Sequence, residues 1–366
     1  MYKKNIILLS LFQGNGGIAS WSKKFVRTFA SDKYKIIPLD RSITARKQED
    51  GRIMKRIIAG LWQVRQILPA VESAIKENSI LLLHTTTSGS LGTWRDYRVA
   101  RLCRKNGVKC VMHCRYGCIT EDLKRPFYGC FLRKTMALYD QIWVLDNRSA
   151  DSIRQYQELA SKVYVTPNSI AVPEALVIEP KTYKHVAFIA NLVPTKGLFE
   201  LIEAFIKLGS NDMRLSIVGS GTEEVEMRVK EMAGDRLGKT IFMLGRLPND
   251  EAVEFMKSVD ILALPTYMQH EAFPISILEA MSLGKLVIST HRAAIGDMLT
   301  GLDGKPCGVF VEEQSVDDIV KALGWCVNHP NEADELCKRA YKKVYDCYRM
   351  EVVYALYKQH YKELIG

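Results

Sequence analysis

Two glutamates eight positions apart, Glu271 and Glu279, are the residues of this chain whose type and spacing most directly suggest chemistry. They stand in His270-Glu271-Ala272-Phe273-Pro274-Ile275-Ser276-Ile277-Leu278-Glu279-Ala280-Met281. Apolar residues fill the turns around Glu279, and an ionised carboxylate buried among them is costly unless something pairs with it. A ligand that donates hydrogen bonds to it would resolve that cost. Upstream, Ile261-Leu262-Ala263-Leu264 reads as a strand ended by Pro265. Pro274 suits the first helical position, where its missing N–H is no loss. Glu271 then falls in a strand-to-helix loop, and Glu279 lies about a turn and a half inside the helix. In open α/β sheets ligands bind at the carboxyl ends of strands, where Glu271 would be. A surface Glu followed by a helical Glu paired with a neighbouring cation explains the spacing equally well.

Strand and helix patterns alternate along the whole chain, which predicts parallel sheets covered by helices. Strands read near 5–10, 34–39, 79–84, 108–112, 141–145 and 162–165 in the first half. They read near 185–190, 213–218, 240–243, 260–264, 285–289 and 308–311 in the second. Thr166-Pro167-Asn168-Ser169 and the variable stretch through Glu179-Pro180 read as a linker. A length of 366 residues fits two domains, each with its own core, at 1–170 and 181–349. An amphipathic helix follows at about 350–364.

Several other constellations carry weaker signals. Gly14-Asn15-Gly16-Gly17-Ile18-Ala19 lies between the first strand and the first helix. Glycines there let the backbone approach a ligand, and a helix N-terminus favours an anion. With Asp40 ending the second strand, the run also fits a dinucleotide fingerprint, so an NAD enzyme is a competing reading. Gly219-Ser220-Gly221-Thr222 follows a strand and fits a phosphate loop or a tight turn with Thr222 as N-cap. Lys196 precedes a helix starting near Gly197, where a cation and helix N–H groups could neutralise a diphosphate. Cys110, Cys114 and Cys118, with His113 among them, match no usual zinc spacing, and a strand there would scatter them. No metal is expected. The nine cysteines, without an export signal, read as reduced thiols in a cytoplasmic protein. The N-terminal apolar run reads as a strand rather than a signal peptide, and no apolar run reaches the roughly 18 residues of a membrane span.

The paired-Glu stretch resembles the signature of retaining glycosyltransferases of family four. Three further places agree in order and distance: Gly16-Gly17, Phe188-Ile189-Ala190-Asn191-Leu192-Val193-Pro194-Thr195-Lys196-Gly197, and Val218-Gly219-Ser220-Gly221. The resemblance implies the GT-B fold, two doubly wound Rossmann-like domains facing a cleft. It adds a C-terminal helix, about 350–366, crossing back to the first domain. The donor would be a nucleotide sugar, UDP- or GDP-linked, bound mostly by the second domain, with no metal and no other cofactor. Glu271 would contact the transferred sugar and Glu279 the ribose. Gly17, Asn191, Lys196, Gly219, Arg246, Phe273, Pro274 and Ile275 would complete the donor site. His113, ending a strand, would approach the sugar; without the resemblance it reads as a strand-end His bonded to backbone. His84 reads as structural. The family usually carries Gly-Arg where this chain has Ala190-Asn191, so the diphosphate loses a cation that Arg246 could replace. That departure keeps a non-catalytic nucleotide-sugar-binding protein open, as well as an epimerase on the same fold.

Charge divides unevenly. Residues 1–180 hold 29 Lys+Arg and 15 Asp+Glu, a net +14, and residues 181–366 hold 22 and 26, a net −4, which sum to the chain's +10. Three helices of the first half carry basic residues: Lys23, Lys24 and Arg27; Arg52, Lys55, Arg56 and Arg65; and Arg95, Arg98, Arg101 and Arg104. The last four recur at spacing three, so they drift around their helix. Any one such helix reads as a solvated outer face. Together they fit an anionic surface, a membrane or a lipid-diphosphate or glycan acceptor, and place the protein peripherally on the membrane's inner face. No nucleic-acid motif is present.

Overall fold

The computed structural model describes residues 3–14, 16–42, 53–90, 92–176 and 182–366, with side chains in the helix Ile53–Asn78 described from Val64 onward. Asn15, Arg52, part of the linker at 177–181, and the side chains of Lys55 and Arg56 lie outside that description. The chain divides into two compact units, Met1–Pro167 with Tyr354–Gly366, and Asn168–Val353.

The first unit is built on six parallel strands, β1 Lys4–Ser10, β2 Tyr34–Asp40, β3 Ile80–Thr87, β4 Lys109–Cys114, β5 Gln141–Val144 and β6 Val163–Val165. Their spatial order is β2-β1-β3-β4-β5-β6. Parallel strands covered on both faces need continuous apolar runs. Ile6, Ile7, Leu8 and Leu9 of β1 are accordingly fully buried. The sheet reverses its winding between β1 and β3, so the loops after these strands flank a switch point. Helices α1 (Gly17–Thr28), α2 (Ile53–Asn78), α3 (Gly92–Lys105), α4 (Ile119–Lys124) and α5 (Pro126–Met136) include the connections that cover it. The last helical residues of the chain belong here as well. Tyr357 and Tyr361 are fully buried, and their rings lie 4.9 and 5.3 Å from the ring of Trp143 on β5. Burying such large side chains contributes roughly 1.5–3 kcal/mol each.

One residue of the spacing-three arginines departs from a solvated face. Arg95 is buried, and its Nε and Nη2 donate to Asp96 Oδ1 at 2.9 and 2.6 Å. Asp96 also accepts from Thr87 Oγ1 at 2.6 Å. A helix lying on a parallel sheet buries about half its circumference, and a drift of three residues carries one member inward. The buried guanidinium is tolerated because a buried carboxylate takes two of its donors. Arg98 and Arg101 stay exposed, and Arg104 donates to the Leu138 and Ala137 carbonyls.

The second unit repeats the plan with β7 His185–Ile189, β8 Arg214–Val218, β9 Ile241–Gly245, β10 Ile261–Leu264, β11 Leu286–Ser289 and β12 Val309–Phe310. The order is β12-β11-β10-β7-β8-β9, and every recorded pairing is parallel. All twelve strands lie where alternation predicts them, within a few residues at each end. The winding reverses between β7 and β10, and open α/β sheets generally bind ligands in the crevice above such a reversal. The helix Leu198–Leu208 after β7 buries Leu201, Ile202, Ala204 and Phe205, the spacing of one inward face.

Candidate functional site

The loops that leave β7 and β10 are locked together at the switch point. After β7 the chain makes a single 3-10 turn, Pro194–Lys196, and then Gly197 in the left-handed region with φ of 78°. A side chain at Gly197 would overlap the carbonyl of Pro265, so only glycine lets this turn sit against the end of β10. The Thr195 carbonyl accepts from Tyr267 N at 2.9 Å and from Thr266 Oγ1 at 3.3 Å. From the next strand end, Ser289 and Thr290 donate to the Leu264 and Thr266 carbonyls at 2.6 Å each. Arg292 donates to the carbonyls of Tyr267 and Met268. Every rung of this lattice fixes backbone on the approach to Glu271.

The lattice brings Lys196 and Glu271 into direct contact as an ion pair. The two side chains are only 15% and 10% exposed. Paired charges so little screened hold each other in place, and neither is solvated as a lone loop residue would be. Lys196 is therefore not the free surface cation that its position in a loop would suggest. Glu279 lies on the helix Ile275–Ser282, half-buried. That helix begins one residue later than the sequence predicts. Pro274 is its N-cap, with φ of −67° and ψ of 117°, rather than its first helical residue. The extended ψ keeps Pro274 out of the helix while its carbonyl still accepts the first turn's Ile277 N–H at 3.3 Å. Phe273 is buried, its carbonyl accepting from Asn168 Nδ2 at 3.2 Å, and Ile275 is exposed.

Toward β8 and β9 the neighbouring loops are laced in the same way. Leu192 N donates to Ser220 O at 2.9 Å, and Gly219 N to Gly245 O at 2.8 Å. Gly219 has φ of 149°, and a side chain there would overlap the Ala190 carbonyl. Thr222 Oγ1 caps the next helix by accepting from Val225 N at 3.4 Å. Glu223, Glu224 and Glu226 occupy that helix's first turn, and Glu226 accepts from Gly221 N at 3.1 Å. Those acids oppose a phosphate at this helix end. Arg246 follows Gly245 and is exposed, with no ion pair among the described residues. Asn191 is exposed as well. The lacing puts the loops bearing Asn191, Gly219 and Arg246 side by side across β7, β8 and β9.

In the first unit, Gly17 opens α1, and Gly14, Gly16 and Gly17 have open space where side chains would stand. Asp40, the acid of the dinucleotide reading, is engaged elsewhere. Its Oδ1 accepts from Phe12 N at 3.1 Å and Ser42 N at 2.8 Å, which ties the β2 end to the β1 loop. His113 sits at the end of β4 and is fully buried. Its Nδ1 meets His84 Nε2 at 3.1 Å, its Nε2 meets Arg115 Nη1 at 3.2 Å, and a backbone hydrogen bond at Thr166 joins them. His84 Nδ1 in turn meets Tyr361 Oη at 2.6 Å. Rings of Trp21, Trp143 and Tyr357 enclose the pair. Burial, then the Arg115 charge, pushes both imidazoles down, His84 to about 3 and His113 well below the usual histidine range. Both are neutral rings. No group of three or more His, Cys, Asp or Glu among the described residues could hold a metal ion.

What the sequence could not reveal is the Arg95–Asp96–Thr87 cluster, the His84–His113–Arg115 row and the Thr195, Thr266, Thr290 and Arg292 rungs. The first depends on which face of α3 turns toward the sheet, and the other two on which strands lie side by side. A weak signal was available in the hydroxyl residues just beyond β10 and β11, Thr266 and Thr290.

Residues 176–343 match the family model of glycosyl transferases group 1. The chain is 25% identical over 199 residues to the D-rhamnosyltransferase WbpZ of Pseudomonas aeruginosa, covering 52% of this chain and 50% of that protein. It is 27% identical over 304 residues to a component of the phosphatidylinositol N-acetylglucosaminyltransferase of Arabidopsis thaliana, covering 78% and 64%. The matches thus span about half to two thirds of those curated relatives. Among solved structures, Anabaena HepE in complex with UDP superposes with a TM-score of 0.70 at 13% identity, covering 99% of this chain and 100% of that one. This likeness shows the fold, two parallel-sheet Rossmann-like units of the GT-B class. Over the matched stretches the chain is thus similar to glycosyltransferases.

Proposed function

We propose that this protein is a retaining glycosyltransferase that moves a sugar from a UDP- or GDP-sugar to a lipid-linked or polysaccharide acceptor in cell-envelope glycan synthesis. The observation that carries the reading is the Lys196–Glu271 pair, two charges 75 positions apart held at the switch point of the second sheet. A nucleotide sugar presents a diphosphate beside a polyhydroxylated ring, and this pair presents a cation beside a carboxylate. In the free protein each satisfies the other. On binding, the diphosphate would take Lys196 and the sugar hydroxyls would take Glu271. The exposed Arg246 would supply the second cation missing at Asn191, and Glu279 would accept from the ribose. Further support comes from HepE, solved with UDP and with UDP-glucose, and from a relative whose name specifies phosphatidylinositol.

Departure of the nucleoside diphosphate leaves negative charge on its phosphates and positive charge on the sugar ring. Lys196, released from Glu271, and Arg246 would stabilise the former, and one such contact is worth about 3 kcal/mol. This scheme needs no nucleophile from the protein. The departing phosphate itself takes the acceptor proton on the face it leaves, which gives retention. His113 then acts through position, as a neutral ring holding Arg115 at the end of β4. No resident cofactor enters this scheme, and the basic first unit attaches the protein peripherally to an anionic membrane.

The experiment is a thermal-shift screen of UDP- and GDP-sugars, followed by NMR of the product's anomeric configuration. A donor at about 100 times its Kd should stabilise by about 2.7 kcal/mol, several degrees here. A screen in which no nucleotide sugar shifts the transition, or a product of inverted anomer, overturns the reading.

A further inference from the structure

One surface of the first unit combines aromatic rings with a margin of cations. On α5, Phe127, Cys130, Phe131 and Lys134 recur at helical spacing and share a face. Phe127 is 95% exposed, at the break in helical geometry that opens α5. An apolar ring so placed loses its whole transfer free energy to water. Phe131 is half-buried and its ring lies 5.6 Å from that of Tyr97 on α3. There the face continues as Trp94, Tyr97, Arg98 and Arg101, with Arg98 over the Trp94 ring and Arg101 over the Tyr97 ring. Lys124 and Lys134 stand exposed on either side of Phe127, and Arg125 reaches the buried Asp122 at 3.3 Å. The only acid within α3 and α5 is Asp96, which is buried beneath Arg95. Every exposed charge of these two helices is therefore a cation.

We infer that the outer face of α3 and α5 docks on an anionic lipid bilayer, with Phe127 entering the interfacial layer and Arg98, Arg101, Lys124 and Lys134 resting on the headgroups. Interfacial segments have this chemistry: large apolar side chains to embed and a basic margin to hold the surface potential. Charge complementarity selects the bilayer, since α3 and α5 present no exposed acid. The exposed Phe127 ring selects lipid over nucleic acid, because an apolar ring recovers its transfer free energy by leaving water for the interfacial layer. The inference deepens the membrane attachment proposed above by giving it a surface, and it does not depend on sugar transfer.

The test uses the chain's own chemistry. Cys130 is the only exposed cysteine of the nine, one turn from Phe127. With the half-buried Cys347 replaced by Ser, Cys130 accepts a polarity-sensitive fluorophore. Titration with vesicles of neutral lipid containing about a third phosphatidylserine should shift its emission to the blue, and added salt should reverse the shift. Each surface cation near such a bilayer contributes about five-fold to partition, so Arg98→Glu with Arg101→Glu should weaken binding by at least about twenty-five-fold. Phe127→Ala should weaken it by about ten-fold. Lys33→Glu with Lys35→Glu, exposed charges on another part of this unit, is the control and should have a much smaller effect. No blue shift on anionic vesicles, an equal shift with single-stranded DNA, or a control pair as damaging as the α3 pair would overturn the proposal. Nucleotide-sugar thermal shift on the same samples separates the two readings. Donor binding without vesicle binding removes only the docking surface, and vesicle binding without donor binding removes only the transferase.

Discussion

Cutting the Lys196–Glu271 pair from one side should cost far more than removing it whole. In Lys196→Met the Glu271 carboxylate stays 10% exposed with its partner gone, and in Glu271→Gln the ammonium is stranded at 15% exposed. Removing one member of a buried ion pair typically costs about 3–5 kcal/mol, and the residual exposure here puts the value near the lower figure. For a unit of this size about 3 kcal/mol lowers the midpoint by roughly 6–12 °C. Lys196→Met combined with Glu271→Gln leaves no uncompensated charge and should lose only about 1–2 kcal/mol, so the double variant is more stable than either single one. Scanning calorimetry of the four proteins closes the cycle, and a coupling of about 3 kcal/mol or more is expected. Single variants that each lose less than about 1 kcal/mol and simply add would show the pair to be solvent-screened, and would remove the preorganised cation from the mechanism.

Two further outcomes follow from the site and from the buried imidazoles. Glu279→Ala should weaken nucleoside and nucleoside diphosphate alike, whereas Arg246→Ala should weaken only the diphosphate; calorimetric titration with uridine and UDP, or the guanine pair, decides, and equal loss of both ligands in Arg246→Ala would move that residue to the base. His84 and His113 are neutral in the fold, with His84 at about 3 and His113 well below the usual range. The unfolded chain binds their protons below pH about 6.5, so stability present above that pH is lost as pH falls toward 3. Two such groups give about 2.7 kcal/mol per pH unit, or about 4 kcal/mol between pH 7 and pH 5. Urea midpoints measured across that range should fall accordingly, His84→Asn should halve the slope, and a flat profile would show the pair protonated in the native state.

Much of the fold was legible because parallel sheets write themselves as separated apolar runs. The stretches at β1, β7 and β10 needed only length and flanking turns to be read. The order of strands was not legible, since winding to the left or right of β7 leaves the same runs in sequence. Site legibility followed the same divide. Glu271 and Lys196 were each visible as a polar residue in a strand-end loop, but their contact depends on β7 and β10 being neighbours. Arg95 was misplaced because a three-residue spacing does not say which member turns inward. The helix start slipped by one at Pro274 because proline serves as N-cap or first residue, and its ψ decides.

The interleaving of the second sheet has a consequence for assembly. The strand carrying the Lys196 turn is made first, but its neighbour β10 follows only after β8 and β9 have been laid on the opposite flank. Until β10 arrives, Lys196 faces water as an ordinary charge, and a half-built unit carries no penalty there. When β10 docks in register, the ammonium loses its water and gains a carboxylate in the same event. A docking slipped by one residue would turn the strand's faces over and strand that charge against apolar neighbours. The pair thus works as a checkpoint on the closure of this sheet, rewarding the one alignment that also builds the site. Chains that reach the native state have therefore already brought the loops of Lys196 and Glu271 into register.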